Sequence, residues 1–293
     1  MDRLKTILVP VDFSDRSVAA AEHAVVLAKK FDSNLIFLHT VPRTAYEYTG
    51  FEGGAYVANL PTKVELATNA EQRLATLIEK VSPDRPVAKL VLFGYPADEI
   101  IRQTHETEID LIVMPTHGYG VFRRFLLGSV AAKVLHDVTC PVLTGAHVPE
   151  IPPTAANPYQ RIVCAVDLTE HSEVVLRWAH EFAQAYGAKL DLIHVVPEIT
   201  HGTPYGEWYP TNLGDILVKT GREKADDVLK KAGCEAEVHI TSGAVSREVK
   251  NFAEQSGADL VIVGRSSGEA SLGRLKANAY GIVRESPCPV ISV

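Results

Sequence analysis

The chain has 293 residues, 46% of them hydrophobic and 22% charged, with a formal net charge of -7. That composition excludes a disordered chain. An acidic balance without a long Lys/Arg cluster also excludes a nucleic-acid binder, whose phosphate contacts need a concentrated basic surface. No apolar run is long enough to cross a bilayer and the amino end lacks a long hydrophobic signal region, so a cytoplasmic protein is expected. Cys140, Cys164, Cys234 and Cys288 are too scattered for a C-x-x-C pair, so reduced structural thiols are expected and no metal ligands are assigned.

In chain order, runs rich in Val, Ile and Leu alternate with helical periodicity, the pattern of βαβ units around a parallel sheet. Strands are predicted near 5–11, 34–41, 87–93, 110–114 and 141–144. Helices are predicted near 15–31, 62–81, 96–107 and 129–137. Ser14 stands where an N-cap belongs, ahead of Val18, Ala21 and Val25. Residues 147–158 hold four prolines and no apolar periodicity, and read as a semi-extended linker.

Past the linker the sequence repeats itself. Ile7-Leu8-Val9-Pro10-Val11-Asp12-Phe13-Ser14 returns 155 residues on as Ile162-Val163-Cys164-Ala165-Val166-Asp167-Leu168-Thr169, and His39 returns as His194. Gly94 and Asp110-Leu111-Ile112-Val113 return 149 residues on as Gly243 and Asp259-Leu260-Val261-Ile262. Cys140-Pro141-Val142-Leu143 likewise returns as Cys288-Pro289-Val290-Ile291. So long a period means duplicated domains, expected at 1–146 and 159–293, with Thr169 taking the N-cap place of Ser14 in the second. The fold class is α/β.

The chemistry concentrates after the fourth strand. Leu111-Ile112-Val113-Met114-Pro115-Thr116-His117-Gly118 is followed by nine residues and then by Gly128-Ser129, which open an apolar helix. Glycine lets a backbone approach a ligand closely, and a helix N-terminus offers unpaired N–H groups and a positive dipole end, an arrangement suited to phosphate. Local sequence equally admits Gly118 as a turn residue and Ser129 as a cap.

This stretch resembles the signature of the universal stress protein family, Gly-x-x-Gly, nine residues, then Gly-Ser or Gly-Thr. The likeness extends over nearly the whole chain, twice, through Val-Asp-Phe-Ser, Leu-His-Thr-Val-Pro and Cys-Pro-Val-Leu. It implies two open parallel sheets of five strands each, in order 3-2-1-4-5 with helices on both faces. These would pair through their final strands near Val142-Leu143 and Val290-Ile291 as an intramolecular pseudo-dimer. It implies ATP as ligand, with ADP or AMP as variants and Mg2+ accompanying ATP, across the ends of strands 1 and 4, the switch point of such sheets. Asp12 and the backbone of Val41 would lie near the base, Gly118 near ribose and phosphates, and Gly128, Ser129 and Val130 at the phosphates. Asp12 has an alternative role, holding the backbone N–H groups of the following turn.

Two departures matter. Pro115 replaces the first signature glycine and has no N–H to give. In the second copy Gly264 survives, but Ser267 replaces the second glycine and Ala277-Asn278 the Gly-Ser pair, so nucleotide binding is expected mainly in the first copy. His117 lacks a nucleophile or carboxylate partner in sequence, and Arg123 and Arg124 read as solvated. Gly264-Arg265-Ser266-Ser267-Gly268 matches the hydrolase nucleophile elbow in form, yet no histidine follows it, and no Walker A lysine exists. No catalytic residue is assigned, and ATP hydrolysis is expected to be slow at most. The aromatic segments 43–61 and 198–211 suit either a lid or a subunit boundary.

Two functions remain open: a nucleotide-binding stress regulator with an unidentified protein partner and the capacity to form a homodimer, and a scaffold of the same fold that only associates.

Overall fold

The computed structural model describes residues 4–43, 61–116, 127–145, 157–196, 213–265 and 277–293. In the first copy the elements are β1 (Thr6–Pro10), α1 (Asp15–Phe31), β2 (Asn34–Pro42), α2 (Lys63–Val81), β3 (Val87–Gly94), α3 (Pro96–Glu106), β4 (Leu111–Pro115), α4 (Ser129–Asp137) and β5 (Val142–Gly145). The second copy runs β6 (Arg161–Ala165), α5 (Ser172–Tyr186), β7 (Lys189–Val196), α6 (Leu213–Ala232), β8 (Glu237–Ser242), α7 (Val245–Ser256), β9 (Leu260–Val263), α8 (Ala277–Glu285) and β10 (Val290–Ser292).

Local sequence explains most of the boundaries. Ser14 caps α1 by accepting from the Ser17 N–H, Thr62 and Glu65 form a reciprocal capping box on α2, and Pro96 opens α3 where its missing N–H costs nothing. Gly187 and Gly257 end α5 and α7 in the left-handed region, at φ of 65° and 66°.

The expected cap at Thr169 is not one. Residues 169–171 form a turn in which the Ser172 N–H bonds the Thr169 carbonyl at 2.9 Å, and α5 begins at Ser172 behind His171. The Thr169 hydroxyl donates instead to Asp167 Oδ1 at 2.6 Å.

The strands form one sheet in the order β3-β2-β1-β4-β5-β10-β9-β6-β7-β8. Each copy therefore has the order 3-2-1-4-5, with every internal pairing parallel. The copies meet through antiparallel β5 and β10, with Leu143 opposite Ile291 and Val142 opposite Ser292. Near-continuous apolar runs suit strands covered on both faces. One core lies under α1, α2, α5 and α6, and the other under α3, α4, α7 and α8.

The repeated aspartates Asp110 and Asp259 do the same work in each copy. Asp110 Oδ2 accepts from the N–H groups of Lys5 and Thr6, and Asp259 Oδ2 from those of Gln160 and Arg161, which satisfies the donors ahead of each first strand.

Candidate functional site

In the first copy, the ends of β1, β2 and β4 and the start of α4 enclose a cavity of about 280 Å3. At the end of β1 the chain turns through Phe13 at φ of 65°, a strained value for a non-glycine residue, and Leu168 repeats it at 56°. An Asx turn holds the bend: Asp12 Oδ1 accepts from the Ser14 N–H at 2.9 Å and from its hydroxyl at 2.6 Å. His39 Nδ1–H donates to the Val11 carbonyl at 2.7 Å and so ties β2 to the same bend. Burial, ahead of the nearby Arg73 charge, holds the His39 pKa below its ordinary value, and the Val11 bond and Asp12 offset part of that.

The opposite wall is the N-terminus of α4. Its N-cap is Gly128, which has no side chain to cap with, while Ser129 is the first helical residue and is exposed. Ala132 N–H reaches the Gly128 carbonyl at 2.8 Å, and among the described residues the N–H groups of Ser129, Val130 and Ala131 meet no acceptor. Gly128 N–H itself donates to the Thr116 carbonyl at 2.8 Å, which fixes the helix against the end of β4. Between these walls stands Thr40, 6% exposed, whose buried hydroxyl has no hydrogen-bond partner among the described residues.

The second copy has the corresponding cavity, of about 450 Å3, with a different lining. Val195 replaces Thr40, Asn278 replaces Ser129, and Glu170 and His171 join Asp167 at the mouth. Asp167 Oδ1 is taken by the Thr169 N–H and hydroxyl and by the Ser172 hydroxyl. Gly264 is required for close packing, since a Cβ there would stand 2.9 Å from Val175 Cγ2.

Arg265 lies beside this cavity but serves another purpose. The residue is 6% exposed, and its guanidinium crosses to the first copy and donates to the carbonyls of Val138, Thr139 and Cys140 at 2.7, 3.2 and 2.6 Å. A cation there meets the negative end of α4. Burial lowers its pKa to about 10, which still leaves it charged at neutral pH.

The model of the universal stress protein family matches residues 3–144 and again 158–293. The chain belongs to the universal stress protein family. A universal stress protein of Methanocaldococcus jannaschii is 34% identical over 141 residues, 47% of this chain and 80% of that protein. One of Bacillus subtilis is 31% identical over 141 residues, 47% of this chain and 95% of that protein. The crystal structure of a universal stress protein from Archaeoglobus fulgidus superposes on 99% of this chain and 96% of its own, with a TM-score of 0.68 at 23% identity. The first two relatives match about half of this chain, and the third shares the whole tandem fold.

Within this universal stress protein, Asp12, Pro115, Gly128, Ser129 and Val130 come together around the domain 1 cavity. Val41 is buried at the end of β2, paired with Phe93 of β3, and Thr40 beside it is the lining residue. Gly118, His117, Arg123 and Arg124 lie outside the described residues, as do the linker up to residue 156 and the aromatic segments apart from Arg43 and Pro61. The turn-holding role of Asp12 is present in the structure, and Oδ2 accepts no hydrogen bond among the described residues. Sequence reasoning missed Thr40 and Arg265. Each could have been found by aligning the copies, since Val195 and Thr116 stand in their places. No described helix is long and apolar enough to cross a membrane.

Proposed function

We propose that domain 1 binds an adenine nucleotide, ATP with Mg2+ ahead of ADP or AMP, and that occupancy biases a cytoplasmic regulatory protein towards or away from a protein partner. One observation carries the reading. First-turn N–H groups behind a glycine N-cap and the buried Thr40 hydroxyl, none with a partner among the described residues, face the same cavity. A buried polar atom without a partner is costly, and a ligand with both anionic and polar groups would satisfy both walls. Gly128, Ser129 and Val130 would hold phosphate through their backbone, with Gly118 nearby. Asp12 Oδ2 and the backbone around Val41 would take the base or ribose. Pro115 contributes shape but no donor.

Domain 2 is the weaker site on this reading despite its larger cavity. Asp167 and Glu170 bring two carboxylates to its mouth, and Asn278 replaces the serine at the helix start, so a phosphate would meet negative charge there.

The test is calorimetric titration of MgATP into the whole chain and into the Gly128→Val, Ser129→Val double variant. One site per chain, abolished in the variant, is the expected result. Absence of heat, with no adenine released on denaturation, would leave the association scaffold as the better reading. The observation favouring that second reading is that β5, β10 and Arg265 join the two copies through protein groups alone. Because β5 and β10 pair with each other, neither is an edge for a second chain, and a homodimer would have to form elsewhere.

A further inference from the structure

Both cavities lie at the carboxyl ends of the strands, and a separate constellation occupies the amino end of the domain 2 sheet. Strand register assembles it: Arg161 pairs with Lys189, Asp191 with Glu237, and Ile193 with His239. In-register neighbours point the same way and alternate residues share a face, so these charged side chains all stand on the α7 face of the sheet, where Phe252 packs against the His239 ring.

Domain 1 has nothing of the kind at these positions. Asp191, Glu237 and His239 correspond in the repeat to Ile36, Ala88 and Leu90, with Ile36 paired to Ala88 as Asp191 is to Glu237. One copy presents an apolar surface where the other has placed two carboxylates and an imidazole.

Asp191 is 0% exposed, and a buried carboxylate is costly unless its oxygens are all engaged. Its Oδ2 accepts from Arg161 Nε at 2.6 Å. Oδ1 has no hydrogen bond among the described residues; Lys189 Nζ stands 3.4 Å away as an ion pair without hydrogen-bond geometry. Opposite lies His239 Nε2, also buried and without a hydrogen bond among the described residues, 3.8 Å from Asp191 Oδ1 and 3.5 Å from Glu237 Oε1.

The three residues offer ligand atoms that all lie within 4.8 Å of one another. The two His239 separations are wide for hydrogen bonds, but they suit an ion held between the atoms. Bonds of about 2.0–2.2 Å in tetrahedral geometry separate ligand atoms by roughly 3.4 Å. One imidazole nitrogen with two carboxylate oxygens is a donor set for a borderline divalent ion, whereas Ca2+ takes six to eight oxygens.

We propose that Asp191, Glu237 and His239 form a Zn2+-type transition-metal site that clamps β7 to the edge strand β8. Three protein ligands leave the fourth position for water. Arg161 stays on Asp191 Oδ2 as the outer partner that orients the ligating carboxylate. Lys189 is the competitor: its Nζ lies 2.5 Å from Glu237 Oε2 on a half-exposed side chain that can swing into solvent as the metal enters.

The experiment uses the full chain, stripped with chelator and free of nucleotide, titrated with ZnCl2 by calorimetry and with CoCl2 by visible absorption. One equivalent of Zn2+ and the d–d bands of histidine-ligated Co2+ are expected. Both should be lost in His239→Leu, the residue of the domain 1 position, and in Glu237→Gln. The exposed Glu237 side chain makes the second variant a safe one if the first fails to fold. Absence of saturable Zn2+ binding would overturn the proposal and leave a plain ion-pair network. So would unchanged stoichiometry and affinity in Glu237→Gln.

Discussion

His23 on α1 and Tyr159, just ahead of β6, share a buried hydrogen bond between Nε2 and Oη that joins the two domains. Both residues lie in a seam where Phe31 meets Phe182 and Tyr186, and Tyr159 meets the same two rings edge-on. Burial pushes the His23 pKa down to about 4 and the Tyr159 phenol well above its ordinary value, so the imidazole is neutral and the phenol protonated at neutral pH.

The sign of the resulting pH dependence follows from linkage. Above the unfolded value of 6.5 both states hold His23 neutral, and its contribution is complete. As pH falls the unfolded chain takes up a proton that the folded one refuses, so stability drops until about pH 4, where the folded site protonates too. Urea unfolding at pH 7.5 and pH 5 should differ by about 2 kcal/mol from this group. His23→Gln should flatten that part of the profile; an equally steep loss in the variant would assign it to other groups.

Arg265 is the polar tie on the other face of the junction. Its removal strands the carbonyls of Val138, Thr139 and Cys140, and Arg265→Ala is expected to cost about 2–4 kcal/mol by thermal or denaturant unfolding. Arg265→Lys should restore little, because an ammonium cannot reproduce a planar fork that reaches three acceptors. Full rescue by lysine would show that charge at the end of α4, not geometry, matters there.

Thr40→Val separates stability from binding by opposite signs. The variant has the side chain that domain 2 carries as Val195 and loses a buried hydroxyl that has no partner among the described residues, so the ligand-free chain should gain about 1 kcal/mol. If nucleotide fills the domain 1 cavity and bonds this hydroxyl, its affinity should fall about five- to tenfold in the same variant. Unchanged affinity would remove Thr40 from the site.

The cysteines should be unreactive in the folded protein. Burial raises the thiols of Cys140 and Cys288 to about 11, and those of Cys164 and Cys234 upward as well, so little thiolate exists at pH 8. A disulfide exchange reagent should label them slowly in the native state and all four rapidly in urea. Fast native labelling of any one would show that its shell opens readily.

Much of this was legible in the residues themselves. Apolar periodicity located the first-copy elements to within a residue or two, because fully buried parallel strands and amphipathic helices leave unambiguous patterns. Ser14 was readable as a cap since its bond is local, whereas Thr169 was misread because the two-residue turn behind it depends on backbone bonds that side-chain identity does not announce. The grouping of Asp12 with Gly128 and Ser129 came from the family resemblance rather than from spacing.

The sequence by itself determined the duplication, the α/β class and the strands and helices of the first domain. These rest on patterns that repeat within a few residues or on a copy of the same pattern further along. Only the tertiary structure decided that Arg265 crosses to the end of α4, that His23 bonds Tyr159, that Thr40 is buried at the domain 1 cavity, and that Asp191 meets His239. Each of these joins residues distant in the chain, brought together by strand register and core packing, and local propensity carries no information about such contacts.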